Sequence, residues 1–319
     1  MSYELRPPEA VNVAGQPTTR GHLSNSSLNT FLACQQRFAF HYEQRLDPAV
    51  TAEPLAMGRA FAEALEHGDP EAGATVLLEQ AVKQADEAAG NPWLVVPDPQ
   101  EVEVQATVVR EASRAYLSRY GTHDQTREVE LRARIRNPAS GGRYSMTHDL
   151  LCRVDAVSAD HRDLFEDKLV SQIPRRSLTS KLKLDRQVSI ETYMVWRCTG
   201  VAPERVHYRY TKKPGIRRRK DESHEGYLKR IAEEYATRPD EYLHEEILTR
   251  SHDDFLRLER ELWNWTEAIR VARKDGLFPR NTASCEAFSG CRYLALCAGE
   301  PGAEHQYVQR EVRLPRVAA

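Results

Sequence analysis

The chain of 319 residues carries 45 Lys and Arg against 47 Asp and Glu, a formal net charge of −2 with a pI near 6.6, which excludes a polycation. Hydrophobic residues make up 40% and charged residues 29%, which excludes a disordered polar chain and supplies material for a core. No apolar run approaches the roughly 18 residues of a membrane span, and Met1-Ser2-Tyr3-Glu4 lacks a basic segment followed by an apolar one, so a cytoplasmic protein without a membrane partner is expected.

Residues 1–22 are polar and aperiodic and read as an irregular lead-in. Ser24, Ser26 or Ser27 can cap a helix whose apolar positions are Leu28, Phe31, Leu32, Phe38 and Phe40. Helical spacing covers Leu55 to His67 and continues in Ala- and Glu-rich segments to about Tyr120, so a helical part spans 55–120. From Glu128 the period changes to two, Val129, Leu131, Ala133 and Ile135 alternating with Glu130, Arg132, Arg134 and Arg136. After the turn at 137–142, Tyr144 to Val157 reads as one or two strands and Asp163 to Val170 as another, together an antiparallel meander. Asp185 to Cys198 is helical and Arg205 to Thr211 a strand, so a helix crosses between two strands of a core at 128–211. Gly226 to Lys274 reads as two amphipathic helices, and 300–319 as a tail. No Pro/Ser/Gly-rich linker interrupts the middle, so 23–299 is expected to be one domain.

Three features carry chemistry. Asp155 sits in the apolar strand Arg153-Val154-Asp155-Ala156-Val157, and on the next strand Glu166 and Lys168 project from one face. Two close carboxylates suit Mg²⁺ or Mn²⁺, and a lysine beside them can support an attacking water or neutralise phosphate charge; equally, the triplet is compatible with solvent-facing charges bridged at the surface. Cys285, Cys291 and Cys297, with five residues between them each time, suggest thiolate ligands to one centre in a chain without an export signal, whereas Cys152 and Cys198 lie in apolar settings and read as packing thiols. Lys212, Lys213, Arg217, Arg218, Arg219 and Lys220 place six cations in nine residues, able to neutralise nucleic-acid phosphates without reading sequence, or simply to form a solvated loop. Arg175, Arg176, Lys181 and Lys183 extend that positive track, while Tyr208, Tyr210, Trp263 and Trp265 are better explained by core packing than by base stacking.

Asp155, then Glu166-x-Lys168, then Gln187 and Tyr193 on a following helix resembles the PD-(D/E)XK nuclease superfamily, specifically its RecB-like exonuclease branch. The resemblance implies a restriction-endonuclease-like α/β core, a mixed central sheet flanked by helices, with helical additions. It also implies metal-dependent hydrolysis of DNA phosphodiesters, exonucleolytic on single-stranded or end-containing DNA, in recombination, repair or phage DNA metabolism. Asp155 and Glu166 would hold Mg²⁺ or Mn²⁺, Lys168 would support the attacking water, and Gln187 and Tyr193 would complete the site. Two departures stand out. The branch usually carries Tyr four residues after the Gln, where this chain has Glu191, and a helix written Gly-x-x-x-His, where Gly58-Arg59-Ala60-Phe61-Ala62 puts Ala62 in the His position.

The segment around Cys34 resembles the opening of iron-sulfur nucleases of the AddB and CRISPR-associated types, which implies that Cys34, Cys285, Cys291 and Cys297 bind a [4Fe-4S] cluster; zinc is the alternative that spacing leaves open. Such a clasp would close a loop of roughly 250 residues. The alternative function is a catalytically decayed, cluster-bearing subunit that binds DNA or assembles with partners on the same fold.

Overall fold

In the computed structural model, the described residues are 21–48, 53–89, 96–122, 125–139, 143–173, 180–286 and 290–310. Arg175 and Arg176 of the expected positive track lie outside them, as do residues 1–20 of the lead-in and 311–319 of the tail.

The chain opens with strand β1 (Gly21–Leu23) and helix α1 (Asn25–Ala33), started by Ser24, whose side chain accepts from the Ser27 N–H while Ser27 Oγ accepts from the Ser24 N–H. A short helix α2 (Gln35–Phe38) widens through Glu43, and β2 (Leu46–Pro48) follows. Three helices come next: α3 (Glu53–His67), α4 (Pro70–Ala89) and α5 (Pro99–Tyr120). α3 and α4 approach so closely that a Cβ at Gly73 would lie 2.2 Å from the Ala60 carbonyl oxygen, so only glycine fits there.

The expected change of period then appears as three strands, β3 (Gln125–Arg136), β4 (Tyr144–Ser158) and β5 (Asp163–Val170). Helix α6 (Arg186–Thr199) begins at Asp185, whose side chain caps the Val188 N–H, and ends at Gly200 in the left-handed region (φ 81°). It returns the chain to β6 (Arg205–Lys212), parallel to β5. The sheet runs β1-β4-β5-β6-β7, the last being Leu243–Leu248, with β3 antiparallel to β4 and β1 parallel to it, so it is mixed as expected.

Between helix α7 (His224–Thr237) and the long α9 (His252–Asp275) the chain makes a short helix α8 (Pro239–Tyr242) and an edge strand β7 (Leu243–Leu248), where two helices alone were expected. Leu243-His244-Glu245-Glu246-Ile247-Leu248 has no clean alternation because it covers an edge; it is held through antiparallel pairing with β6 and the Arg209–Glu245 ion pair. After α10 (Leu294–Ala298), strand β8 (Tyr307–Gln309) pairs with β2, so the expected tail is partly structural.

Apolar residues divide into two cores. On one face of the sheet, Leu150, Val154, Leu164, Val188, Met194, Val206, Leu258 and Ile269 join α1, α6 and α9 to the strands. A second cluster, Met57, Phe61, Val109, Ala112, Tyr116 and Ile231, packs α3, α5 and α7 together. Among the described residues no helix is long and apolar enough to cross a membrane.

One polar device ties β4 to α9. His148, fully buried, faces the Arg273 guanidinium at 2.6 Å through Nε2, and Arg273 also forks onto Glu43 at 2.7 and 2.8 Å. Because arginine only donates, Nε2 must accept, which makes the ring neutral with Nδ1–H directed at Thr147 Oγ1, 2.9 Å away. Burial, with the nearby arginine charge, pushes the His148 pKa down to about 4. The unfolded chain therefore takes up a proton below about pH 6.5 that the folded chain refuses until about pH 4, and stability is lost as pH falls through that window. Going from pH 7 to 5 is expected to cost about 2 kcal/mol through this group. Urea unfolding across that range should be flatter in His148→Gln; equal slopes would remove His148 from the acid response.

Candidate active site

β4 and β5 pair only at Ala156–Phe165 and Val157–Leu164, while further back along β4 the same edge takes β1 at residues 148–150. The two strands therefore part just beyond Ala156, and the register places Asp155 opposite Glu166 at the mouth of the split. Asp155 Oδ2 accepts the Asp167 backbone N–H at 2.9 Å, taking the place of a ladder bond. Glu166 and Lys168 share a face of β5, as their spacing requires, and form an ion pair through Glu166 Oε1.

Glu166 is completely buried and Lys168 about one-third exposed, so the pair is not the solvent-facing bridge that the triplet alone allowed. Glu166 Oε1 also accepts from the Gln187 side-chain amide at 2.5 Å, whereas its Oε2 is buried without a partner. Burial, with the Asp155 charge adding to it, pushes Glu166 up to about 8 against the opposing pull of Lys168. For Lys168, burial acts to lower the pKa, but Glu166 and Asp155 outweigh it and hold the ammonium well above the ordinary lysine value.

Asp155, Glu166, Lys168 and Gln187 are thus brought together. Tyr193 is not. It lies on the other side of α6, wholly buried, where its hydroxyl donates to Glu259 Oε1 of α9 at 2.7 Å and accepts from Arg197 at 2.9 Å. The residue on the Gln187 side of the helix, one turn on, is Glu191, 2% exposed, within hydrogen-bonding reach of Gln187 and Glu166 and with Oε2 unpartnered. The signal for it was present in the sequence: i and i+4 share a helix face, and Glu191, not Tyr193, stands four residues after Gln187.

Helix α3 brings no imidazole to this group. Ala62 is half-buried, and Glu63 is bonded to His67 at 3.1 Å on an exposed stretch that Glu66 shares. Tyr208 and Tyr210 follow Glu166 and Lys168 in register on β6, belong to the core as expected, and lie with ring centroids 5.0 Å apart. Trp263 and Trp265 pack partly buried against the same core.

The basic loop leaves β6 at the end of the sheet to which Lys168 belongs. Lys213 N–H donates to the Val170 carbonyl, and Tyr235 and Tyr227 of α7 donate to the carbonyls of Lys212 and Ile216. Glu222 receives Arg230 and the Arg219 backbone N–H, and Arg218 bonds the Glu222 carbonyl and Gln100. The loop is therefore braced while Arg217, Arg219 and Lys220 point outward, with no carboxylate in salt-bridge contact among the described residues. Lys181 and Lys183 are exposed before α6.

Cys34, Cys285, Cys291 and Cys297 line a single cavity of about 180 Å³ with Arg37, Phe40 and Tyr293. Asn281 supplies a backbone N–H to Cys34 Sγ at 3.4 Å and a side-chain amide to the Ala33 carbonyl. Among the described residues no three His, Cys, Asp or Glu side chains, here or beside Asp155, close around one point as an ion would require. Cys152 is buried and Cys198 half-buried, both away from the cavity, as expected of packing thiols.

The sequence matches the PD-(D/E)XK nuclease superfamily over residues 22–298, and the chain belongs to that superfamily. In fold it is similar to a protein from Eubacterium rectale named as a candidate exonuclease, with a TM-score of 0.50 and 10% identity over 90% of this chain and 99% of that one. A phage-related exonuclease from Haemophilus somnus 129PT is more distant, with a TM-score of 0.32 and 9% identity over 64% of this chain and 84% of the other. No curated protein matches the sequence.

The hydroxyl of Tyr193 carries a bond inside the core, so Tyr193→Phe should lower the unfolding free energy by about 1 to 2 kcal/mol. Chemical denaturation measures it, and an unchanged midpoint would show that Arg197 alone satisfies Glu259.

Proposed function

We propose that the protein is a divalent-metal-dependent deoxyribonuclease that hydrolyses DNA phosphodiesters, acting as an exonuclease on single-stranded or end-containing DNA. The observation that carries this reading is the parting of β4 and β5 that sets Asp155 against a fully buried Glu166, with Lys168 and Gln187 both on Glu166 Oε1. The donor set suits Mg²⁺ or Mn²⁺: two carboxylates, no thiolate or imidazole, and one carboxylate oxygen buried without a partner. Asp155 and Glu166 would hold the ion, which when bound supplies Lewis-acid polarisation and an acidified water.

The chain's own residues do the rest. Gln187 fixes the orientation of Glu166 by its amide, which leaves Oε2 directed away from the hydrogen-bonded side. Glu166 and Asp155 favour the charged form of Lys168, which suits it to stabilise charge that develops on the phosphate or to hold the attacking water by donation. The braced cationic loop supplies backbone attraction without base contacts, which fits a substrate engaged regardless of sequence.

The four cysteines would hold a [4Fe-4S] cluster, with zinc as the alternative: all four line one cavity, and a backbone N–H faces the Cys34 sulfur. Its role would be to join the start of the fold to its end.

Anaerobically purified protein should show visible absorption with iron and sulfide in equal amounts, both lost in Cys291→Ser. With Mn²⁺ it should degrade end-labelled single-stranded DNA, and Asp155→Ala or Glu166→Ala should reduce the rate by at least about 100-fold. DNA binding without cleavage by the wild-type protein would replace this reading by that of a binding subunit on a decayed nuclease fold. Substituting Arg217, Arg219 and Lys220 together by Gln should weaken DNA binding and flatten its dependence on salt; an unchanged salt slope would remove the loop from the interface.

A further inference from the structure

Of the groups gathered around the split between β4 and β5, Glu191 has no part in what has been described so far. Its carboxyl group is 2% exposed on the first buried turn of α6, above the Asp185 cap, and its Oε2 has no hydrogen-bond donor. The side chain reaches Gln187, whose amide is already on Glu166, and reaches Glu166 itself, whose Oε2 is likewise buried without a donor. Asp155 acts on Glu191 less strongly than Glu166 does. Two neighbouring carboxylates with a buried acceptor each are an arrangement that folded proteins avoid unless a donor or a cation completes it. Packing gives no reason for an acid here: the next residues of the same helix, Thr192 to Val195, are buried against the core, where apolar side chains are the ordinary occupants.

The balance of charge indicates what completes it. The cation that faces both glutamates is the ammonium of Lys168, so once a bound cation holds all three acids in their ionised form, Asp155, Glu166 and Glu191 set three negative charges against one positive charge of the protein. One divalent cation brings the group to neutrality. A monovalent ion leaves it negative, and a soft metal is disfavoured by a donor set made of oxygen alone.

We propose that Glu191 is a third carboxylate of the divalent-cation site, placed behind Glu166 and acting on the ion through Glu166 and Gln187. This rests on the cation site assigned above to Asp155 and Glu166. In effect α6 contributes twice to that site, Gln187 by orienting Glu166 and Glu191 by supplying negative charge from one turn further along. Because the charge is held inside the protein, where screening by salt is weak, it acts on the ion at distances at which a surface carboxylate would not.

Mn²⁺ binding to the full chain without DNA, followed by isothermal calorimetry and by the loss of the free-ion electron paramagnetic resonance signal, tests this apart from any cleavage. Glu191→Gln keeps the shape, adds a donor for Glu166 and removes the charge. It should retain the thermal melt of the parent and bind Mn²⁺ at least tenfold more weakly, a loss in the range found for groups that support metal ligands. Glu191→Met takes its place if the glutamine variant does not fold, with the same loss expected. Asp155→Asn is the control for the site as a whole. If Asp155→Asn loses Mn²⁺ and Glu191→Gln binds within twofold of wild type, Glu191 does not belong to the site and the inference fails while the cation reading stands. If the wild-type chain binds no Mn²⁺, both fail together.

Discussion

The placement of a carboxylate, Glu166, where no water reaches it governs the rest of the site. A buried acid is tolerated only with partners, and each partner fixes a different part of the fold. Lys168 comes from the same strand, two residues on, and Gln187 from the helix that crosses over the sheet. Asp155 comes from the strand that would pair with β5 further along had the two not separated after Ala156. The long β4 makes this possible by giving the same edge to β1 at one end and to β5 at the other, so that one strand anchors two neighbours and leaves a gap between them.

The helices play unequal parts. α6 is bound on its outer side to α9 through Tyr193, Arg197 and Glu259, a buried polar set that fixes the rotation of the helix and hence the direction of Gln187. α3, α4 and α5 form a second packed body on the far face, where Tyr116 donates to Asp167 and accepts from Arg209. Asp167 therefore faces away from the site although it lies between Glu166 and Lys168. Alternation along one strand separates the groups that make the site from those that carry the sheet's other face.

Much of this was legible from residue order. The switch to a period of two, expected from Glu128 and found in a strand that starts at Gln125, the alternation that puts Glu166 and Lys168 on one face, the helix between two strands and a serine cap, Ser24 of the three candidates, all depend on local spacing. β7 was not legible, because Leu243 to Leu248 is a strand by virtue of its neighbour and not of its own pattern. Neither were β1 and β8, three residues each, too short to show a period. Tyr193 was drawn towards the site by its residue type, when helical geometry favours the residue four positions after Gln187; a phase of 3.6 residues per turn leaves position i+6 about 120° round the helix from i, against about 40° for i+4. The burial of Glu166 was likewise beyond the sequence, since acid-x-Lys triplets look alike at a surface and in a core.

The pairing of β2 with β8, the bond from Tyr293 to the Leu46 carbonyl and the contacts of Asn281 and Ser284 with the Ala33 carbonyl join the first turn of the fold to its last. On the ribosome these partners emerge far apart in time. At about 5 to 20 residues per second, the segment around Cys34 waits roughly 10 to 50 s for the one that covers it. The apolar face of α1 is covered earlier, once α6 and the strands it packs against have emerged, so over that interval it is the Cys34 thiol that stays uncovered.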